Sequence, residues 1–205
     1  MNNENINLKR RRFLTATTSV VGAIGAGAGA FIIFNYMSIS EKDKAQGASI
    51  EVDISKLPLG KLLVVEWRNQ PVWILKRTPE VIKAIDAVNE DRLRDPNSEV
   101  TEQQPDYAKN KYRSQIKDIM VVIGLCTHLG CSPREEQAGG DLGADWPGGY
   151  LCPCHGSTFD YAGRVYKRVP APTNLVIPNH WFSDNNTKVT IGSDKNTTKQ
   201  KKGKT

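Results

Sequence analysis

Polar and basic residues open the chain, and then residues 13–40 carry no charge. Within that stretch a Gly- and Ala-rich apolar run extends from Val20-Val21 to Phe31-Ile32-Ile33-Phe34 and ends near Tyr36-Met37. Taken as a helix over residues 13–37, it is long enough to cross a hydrocarbon core of about 30 Å. Residues 38–49, with Glu41-Lys42-Asp43-Lys44, are polar and lack an apolar period, which reads as a solvated linker. From Ile50 the pattern is mainly strand-like. Residues 61–67 and 71–76 alternate around Arg68-Asn69-Gln70 and predict a hairpin. Thr78 before Pro79 predicts a helix start, continued by Val81, Ile82 and Ile85. Residues 89–117 are polar and read as helix plus loop, whereas the unbroken apolar run at 119–123 reads as a buried strand. Later short strands are expected near 164–166, 174–177 and 188–191, before a Lys-rich, low-complexity tail at 194–205 that reads as disordered.

Charge changes the picture only by its placement. The net +6 sits at the ends: residues 1–40 hold four basic residues and one acid, and 194–205 hold five and one, leaving 19 basic against 20 acidic between them. The body is therefore not a basic nucleic-acid surface, and that class of function is set aside. At the N-terminus, Lys9-Arg10-Arg11-Arg12-Phe13-Leu14 has the form of a twin-arginine export signal, a route that carries folded cargo. Ala26-Gly27-Ala28 and Ala28-Gly29-Ala30 offer small-residue cleavage sites. The apolar run continues past them, and retention as an anchor is the expectation.

The chemistry is concentrated in two short clusters, Cys126-Thr127-His128-Leu129-Gly130-Cys131 and Cys152-Pro153-Cys154-His155-Gly156-Ser157. All four cysteines and two of the three histidines lie there. The spacings are C-x-H-x-x-C and C-P-C-H-G-S, which can direct one thiolate and one imidazole from each loop at a [2Fe–2S] centre whose irons are held by two Cys and two His. The same donor set could hold a structural zinc ion. Gly156, which permits close backbone approach, and Ser157, which offers a hydroxyl to sulfur, favour the iron–sulfur reading, because a zinc site needs neither.

These loops, together with Gln103-Gln104-Pro105-Asp106-Tyr107, Tyr112-Arg113-Ser114, Gly163-Arg164-Val165 and Pro170-Ala171-Pro172-Thr173-Asn174-Leu175, resemble the Rieske iron–sulfur subunits of proteobacterial-type ubiquinol–cytochrome c reductases. With the N-terminal segment the resemblance covers nearly the whole chain. It implies a mainly β fold, with an antiparallel β-sandwich head, a small cluster-binding subdomain at about 124–172, and one N-terminal transmembrane helix. It implies one Rieske [2Fe–2S] cluster held by Cys126, His128, Cys152 and His155, with Ser157 beside it. Cys131 and Cys154 stand outside that ligand set and are expected to pair as a disulfide in an oxidising compartment.

By the same resemblance, His155 is the catalytic imidazole that hydrogen-bonds ubiquinol at a site shared with cytochrome b, and a c-type cytochrome receives the electron. Leu129 would sit at the exposed tip, and Pro170-Ala171-Pro172 would be the proline loop covering the cluster. His180, the third histidine, is expected to be structural or surface-exposed. The implied domains are a cytoplasmic twin-arginine region (1–12), an anchor (13–37), a hinge (38–49), a periplasmic head (50–193) and the basic tail (194–205), all on a single-pass inner-membrane protein. The nearest alternative is the small Rieske subunit of a periplasmic molybdenum oxidase such as arsenite oxidase, which needs no quinol site. One departure stands out. Many members carry Tyr two places after the Ser of C-P-C-H-G-S, where this chain has Phe159, so one hydroxyl donor to a cluster sulfur is missing.

Overall fold

The computed structural model describes residues 7–37, 48–183 and 185–193. The expected tail at 194–205, most of the expected hinge and the first six residues lie outside the described residues. The chain divides into two compact units, Met1–Ala45 and Gln46–Thr205.

In the first unit the described residues form one helix, α1 (Leu8–Met37), with no buried residue. Thirty residues at 1.5 Å each give about 45 Å of helix, more than a bilayer core requires. Four of its polar side chains bond back to the helix carbonyls. The hydroxyls of Thr15, Thr17 and Thr18 donate to the carbonyls of Arg11, Phe13 and Leu14 at 2.7, 2.8 and 2.9 Å, and Asn35 Nδ2 donates to Phe31 O at 3.0 Å. Such back-bonding lets these residues lie in an apolar medium without orphaned donors.

The second unit holds three antiparallel three-stranded sheets. Strands β2 (Leu62–Trp67), β3 (Gln70–Lys76) and β4 (Ile119–Ile123) form the first, in the order β2-β3-β4. β1 (Ile50–Asp53), β8 (His180–Ser183) and β9 (Lys188–Ile191) form the second, in the order β1-β9-β8. β5 (Arg134–Glu136), β6 (Gly149–Leu151) and β7 (Thr158–Phe159) form the third. The side-chain alternation of β3 and β4 explains the layering. Val72, Ile74, Val121 and Ile123 pack with Val189 and Ile191 of the second sheet. Trp73, Leu75, Met120 and Val122 point the other way and pack with Tyr150 and Phe159 of the third. The β2-β3-β4 sheet is thus the middle layer, and residues 119–123 are uniformly apolar because both of their faces are covered.

The hairpin turn is the two residues Arg68 and Asn69, with φ of 53° and 57°, so Gln70 already belongs to β3. Helix α2 (Pro79–Ala87) begins where Thr78 Oγ1 accepts the Val81 N–H at 3.3 Å. Residues 89–117 contain only 3-10 turns at Glu90–Arg92, Thr101–Gln103 and Asp106–Ala108. Two expected strands are corrected. At 164–166 there are single bridges at Val165 and Tyr166 rather than a strand. At 174–177 the chain is extended but bonds three different segments: Leu175 N donates to Gly163 O, Val176 O accepts from Ile123 N, and Ile177 N donates to Gln103 O. A segment that ties three others together has no single partner to form a ladder with.

Candidate metal centre

Each cysteine-bearing loop is delivered by a strand. β4 ends at Ile123, and the chain continues through Gly124, where a Cβ would overlap the Trp73 indole, to Cys126. β6 leads into Cys152, and β7 begins directly after Ser157. The two loops then repeat one hydrogen-bonding pattern. Cys126 N donates to Cys131 O at 2.8 Å and Gly130 N returns to Cys126 O at 2.9 Å. Cys152 N donates to Ser157 O at 2.7 Å and Gly156 N returns to Cys152 O at 3.0 Å. Gly130 and Gly156 occupy equivalent places with φ of 80° and 74°, a backbone conformation that L side chains adopt only at a cost. In each loop the backbone folds around its own first cysteine.

The loops face one another. Cys126 and Cys152 are free thiols, 3% and 2% exposed. Burial pushes the Cys126 thiol up, and Cys152 adds to the rise, while the His128 N–H and the Ser157 hydroxyl donate to its sulfur and oppose the shift. The His128 and His155 rings lie edge to face, with centroids 4.8 Å apart. His128 is half-buried, His155 is exposed, and Leu129 beside them is 72% exposed. The site is therefore polarised, with sulfur inward and imidazole outward. Two buried thiols without a carboxylate and two imidazoles on opposed loops are the soft and borderline donors that a [2Fe–2S] group with mixed ligation takes.

Cys131 and Cys154 are joined as a disulfide across the loops, 23 residues apart in sequence. Their sulfurs and that of Cys152 lie within 4.8 Å of one another. Disulfide sulfurs are not thiolates, so that trio is not itself a metal site. The segment around Pro170-Ala171-Pro172 is tied to both loops: Thr127 Oγ1 donates to Thr173 O at 2.7 Å, and Ala171 N donates to Ser157 Oγ at 3.0 Å. Ser157 thus receives from the proline segment and gives to the sulfur of the opposite loop, a relay that spacing alone does not reveal.

The remaining motif residues hold the scaffold. Arg113 is fully buried and donates to Ser98 Oγ, Gly163 O and Gln104 Oε1 at 3.1, 3.3 and 3.0 Å. Tyr107 OH donates to His180 O at 2.9 Å and accepts the His180 N–H at 2.8 Å. His180 is 1% exposed, with Nδ1 at 2.8 Å from Pro178 O, and burial drives its pKa down to about 4, so it is a neutral structural residue. Arg77, also fully buried, was given no role by the sequence. Its only signal is a second basic residue, next to Lys76, just past the apolar run of β3.

Comparison with known proteins agrees with this geometry. Residues 96–180 match the family described as Rieske [2Fe-2S] domain, and residues 1–38 match the one described as "Ubiquitinol-cytochrome C reductase Fe-S subunit TAT signal". The ubiquinol-cytochrome c reductase iron-sulfur subunit of Allochromatium vinosum is 53% identical, over 95% of this chain and 94% of its own length. Its counterparts in Blastochloris viridis and Rhodospirillum rubrum are 41% and 39% identical, covering 90% and 89% of this chain and 93% and 91% of theirs.

Proposed function

The chain belongs to the family of ubiquinol–cytochrome c reductase iron–sulfur subunits, and from that membership we propose that it carries electrons from ubiquinol, hydrogen-bonded at His155, to a c-type cytochrome. It is a redox subunit of that oxidoreductase, with one Rieske [2Fe–2S] cluster, and its N-terminal apolar helix is a membrane anchor. The proposal extends to the ligands, Cys126 and Cys152 for one iron and His128 and His155 for the other. The observation that carries it is the polarity of the site, with both thiols buried and His155 at the surface beside an exposed Leu129.

When bound, the cluster supplies one-electron chemistry at a potential raised by replacing two anionic thiolates with neutral imidazoles. His155 accepts the quinol hydrogen bond and holds the transferred proton on its imidazole, which requires the exposed position it occupies. Leu129 packs against the docking surface and excludes water there. Cytochrome b forms the other wall of the quinol site in this reading. In membranes, the dithionite-reduced protein should give a Rieske paramagnetic resonance signal that ubiquinol perturbs, and b- and c-type haems should co-purify. Molybdenum without b-type haem would reject it.

Retention of α1 would leave Lys9-Arg10-Arg11-Arg12 in the cytoplasm and the head in the periplasm, in accord with the positive-inside rule. Replacing Arg10 and Arg11 with Lys is expected to hold the head in the cytoplasm, as read by protease protection of spheroplasts. A head still digested from outside in that variant contradicts the export reading, and a mature N-terminus near Phe31 contradicts retention.

The Ser157 relay gives a further expectation. A donor to sulfur stabilises the reduced, more negative state, so Ser157→Ala should lower the midpoint potential. Phe159 is fully buried in the same core as Cys126 and Cys152. Phe159→Tyr should raise the potential by restoring the hydroxyl common in the family. Redox titration with the cluster spectrum intact decides: an unchanged or lower potential for the Tyr variant means that the new hydroxyl does not reach a sulfur.

A further inference from the structure

Behind the second cluster loop the chain makes a tight turn from Asp160 to Arg164. Asp160 Oδ1 accepts the N–H groups of Ala162 and Arg164 at 2.9 and 2.7 Å, and Oδ2 accepts Arg164 Nε at 2.7 Å. Both residues are fully buried, so this turn contains its own ion pair. Two more guanidiniums reach the turn from elsewhere. Arg77, at the end of β3, donates to Tyr161 O at 3.5 Å, and Arg113 donates to Gly163 O at 3.3 Å.

The acceptors of these two arginines are all neutral. Arg77 bonds Ser114 Oγ and the carbonyls of Lys117, Tyr112 and Tyr161. Arg113 bonds Ser98 Oγ, Gln104 Oε1 and the carbonyls of Gly163 and Gln103. Among the described residues neither has a carboxylate within ion-pair distance. Asp160, Asp95 and Asp118 attract them only from farther off. Burial pushes both guanidiniums down to about 10, which leaves them protonated at neutral pH. Arg164 is paired with Asp160 and, at 3.7 Å, with the half-exposed Glu90, so among the fully buried groups three guanidiniums face one carboxylate. Burying a charge without a counter-charge is expensive, and a scaffold that needed only carbonyl clamps could use neutral donors.

The location gives the excess a role. Asp160 follows Ser157 by three residues, so their Cα atoms are at most about 10 Å apart, and the Ser157 hydroxyl donates to the Cys126 sulfur. Arg77 reaches the carbonyl of Tyr161, which packs in the same core as Cys126 and Cys152, and Arg113 reaches the carbonyl of Gly163 in the same turn.

We propose that Arg77 and Arg113 are electrostatic positioning residues for the cluster, a buried cationic platform that raises its reduction potential by favouring the additional negative charge of the reduced state. The inference rests on the family's cluster occupying the two loops. A unit charge about 17 Å from a redox centre, in an effective dielectric constant of about 20, changes the reduction constant about fivefold, or about 40 mV on a scale of 59 mV per tenfold for one electron.

The test is redox titration of full-length Arg77→Gln, Arg113→Gln, the double variant and the two Lys variants in membranes at pH 6, followed by the paramagnetic resonance of the reduced cluster. Glutamine still donates to carbonyls without charge, whereas lysine keeps the charge and loses the planar fork. Each Gln variant should lower the reduction constant about fivefold, the double variant by the product, and the Lys variants should stay close to wild type. Equal shifts in Gln and Lys variants, no shift, or loss of the cluster from the Gln variants would make these arginines clamps only and overturn the proposal. Absence of a Rieske signal from the wild type would instead strike at the functional reading on which it rests.

Discussion

Cys126→Ser and Cys152→Ser are each expected to abolish the Rieske paramagnetic resonance signal in membranes, with no partial occupancy to titrate. A serine hydroxyl does not ionise to an anionic ligand under conditions where a thiol bound to iron does, and at 3% and 2% exposure neither position admits water to replace it. The two loops have equivalent backbones, so the substitutions should be equally severe. The opposed imidazoles at 4.8 Å between ring centroids cannot compensate for a missing sulfur on the buried side. Cys131→Ser supplies the contrast. It removes a sulfur of the same loop, but one already spent in the disulfide, and some signal should survive at low temperature. A Rieske signal in Cys126→Ser or Cys152→Ser with the protein folded and anchored would contradict the ligand assignment, whereas complete loss in Cys131→Ser even in the cold would show that the cluster cannot be held without the disulfide.

How much of this was legible depended on whether a residue's partner lies nearby in sequence. The buried run at 119–123, the hairpin around Arg68-Asn69 and the Thr78-Pro79 helix start are local signals, and the fold contains all three. The two cysteine loops were legible because their chemistry is written in spacings of two to five residues. Strands β5, β6, β7 and β8 are not among the expected ones. Each is only two to four residues long, and β8 takes its register from β9 rather than from an apolar alternation of its own. Residues 174–177 looked like a strand because they are apolar, yet the backbone there bonds three separate segments. The Ser157 relay joins residues from opposite loops, and Arg77 meets Tyr161 across 84 positions. Long-range polar contacts of this kind leave no periodicity, so a buried arginine reads along the sequence like any exposed one.

The disulfide carries the second large effect. Cys131→Ser with Cys154→Ser is expected to yield a protein that binds the cluster when cold and loses it on warming well before wild type does. Closing a loop of 23 residues restricts the unfolded chain by about 3 kcal/mol in the chain-entropy account. Here the loops have little else to join them directly. Their internal hydrogen bonds run within each loop, and the contacts through Thr127, Ser157 and the proline segment are few. Without the disulfide, opening that pair of loops would expose the Cys126 and Cys152 sulfurs to water and oxidant at the cost of two side-chain hydrogen bonds to residues 171–173 and the Ser157 contact to the Cys126 sulfur. The sheets behind them should be nearly unaffected, because the ladders of the β2-β3-β4 layer and its face toward the second sheet do not involve either mutated sulfur, and Cys131 only flanks the other core as a partly buried neighbour. The expected pattern is therefore a lowered midpoint for loss of the visible and resonance signals, with far-ultraviolet circular dichroism melting at nearly the wild-type temperature. Coincident melting of cluster and backbone, unchanged from wild type, would mean that the proline segment alone secures the loops and that the disulfide is dispensable for holding the cluster.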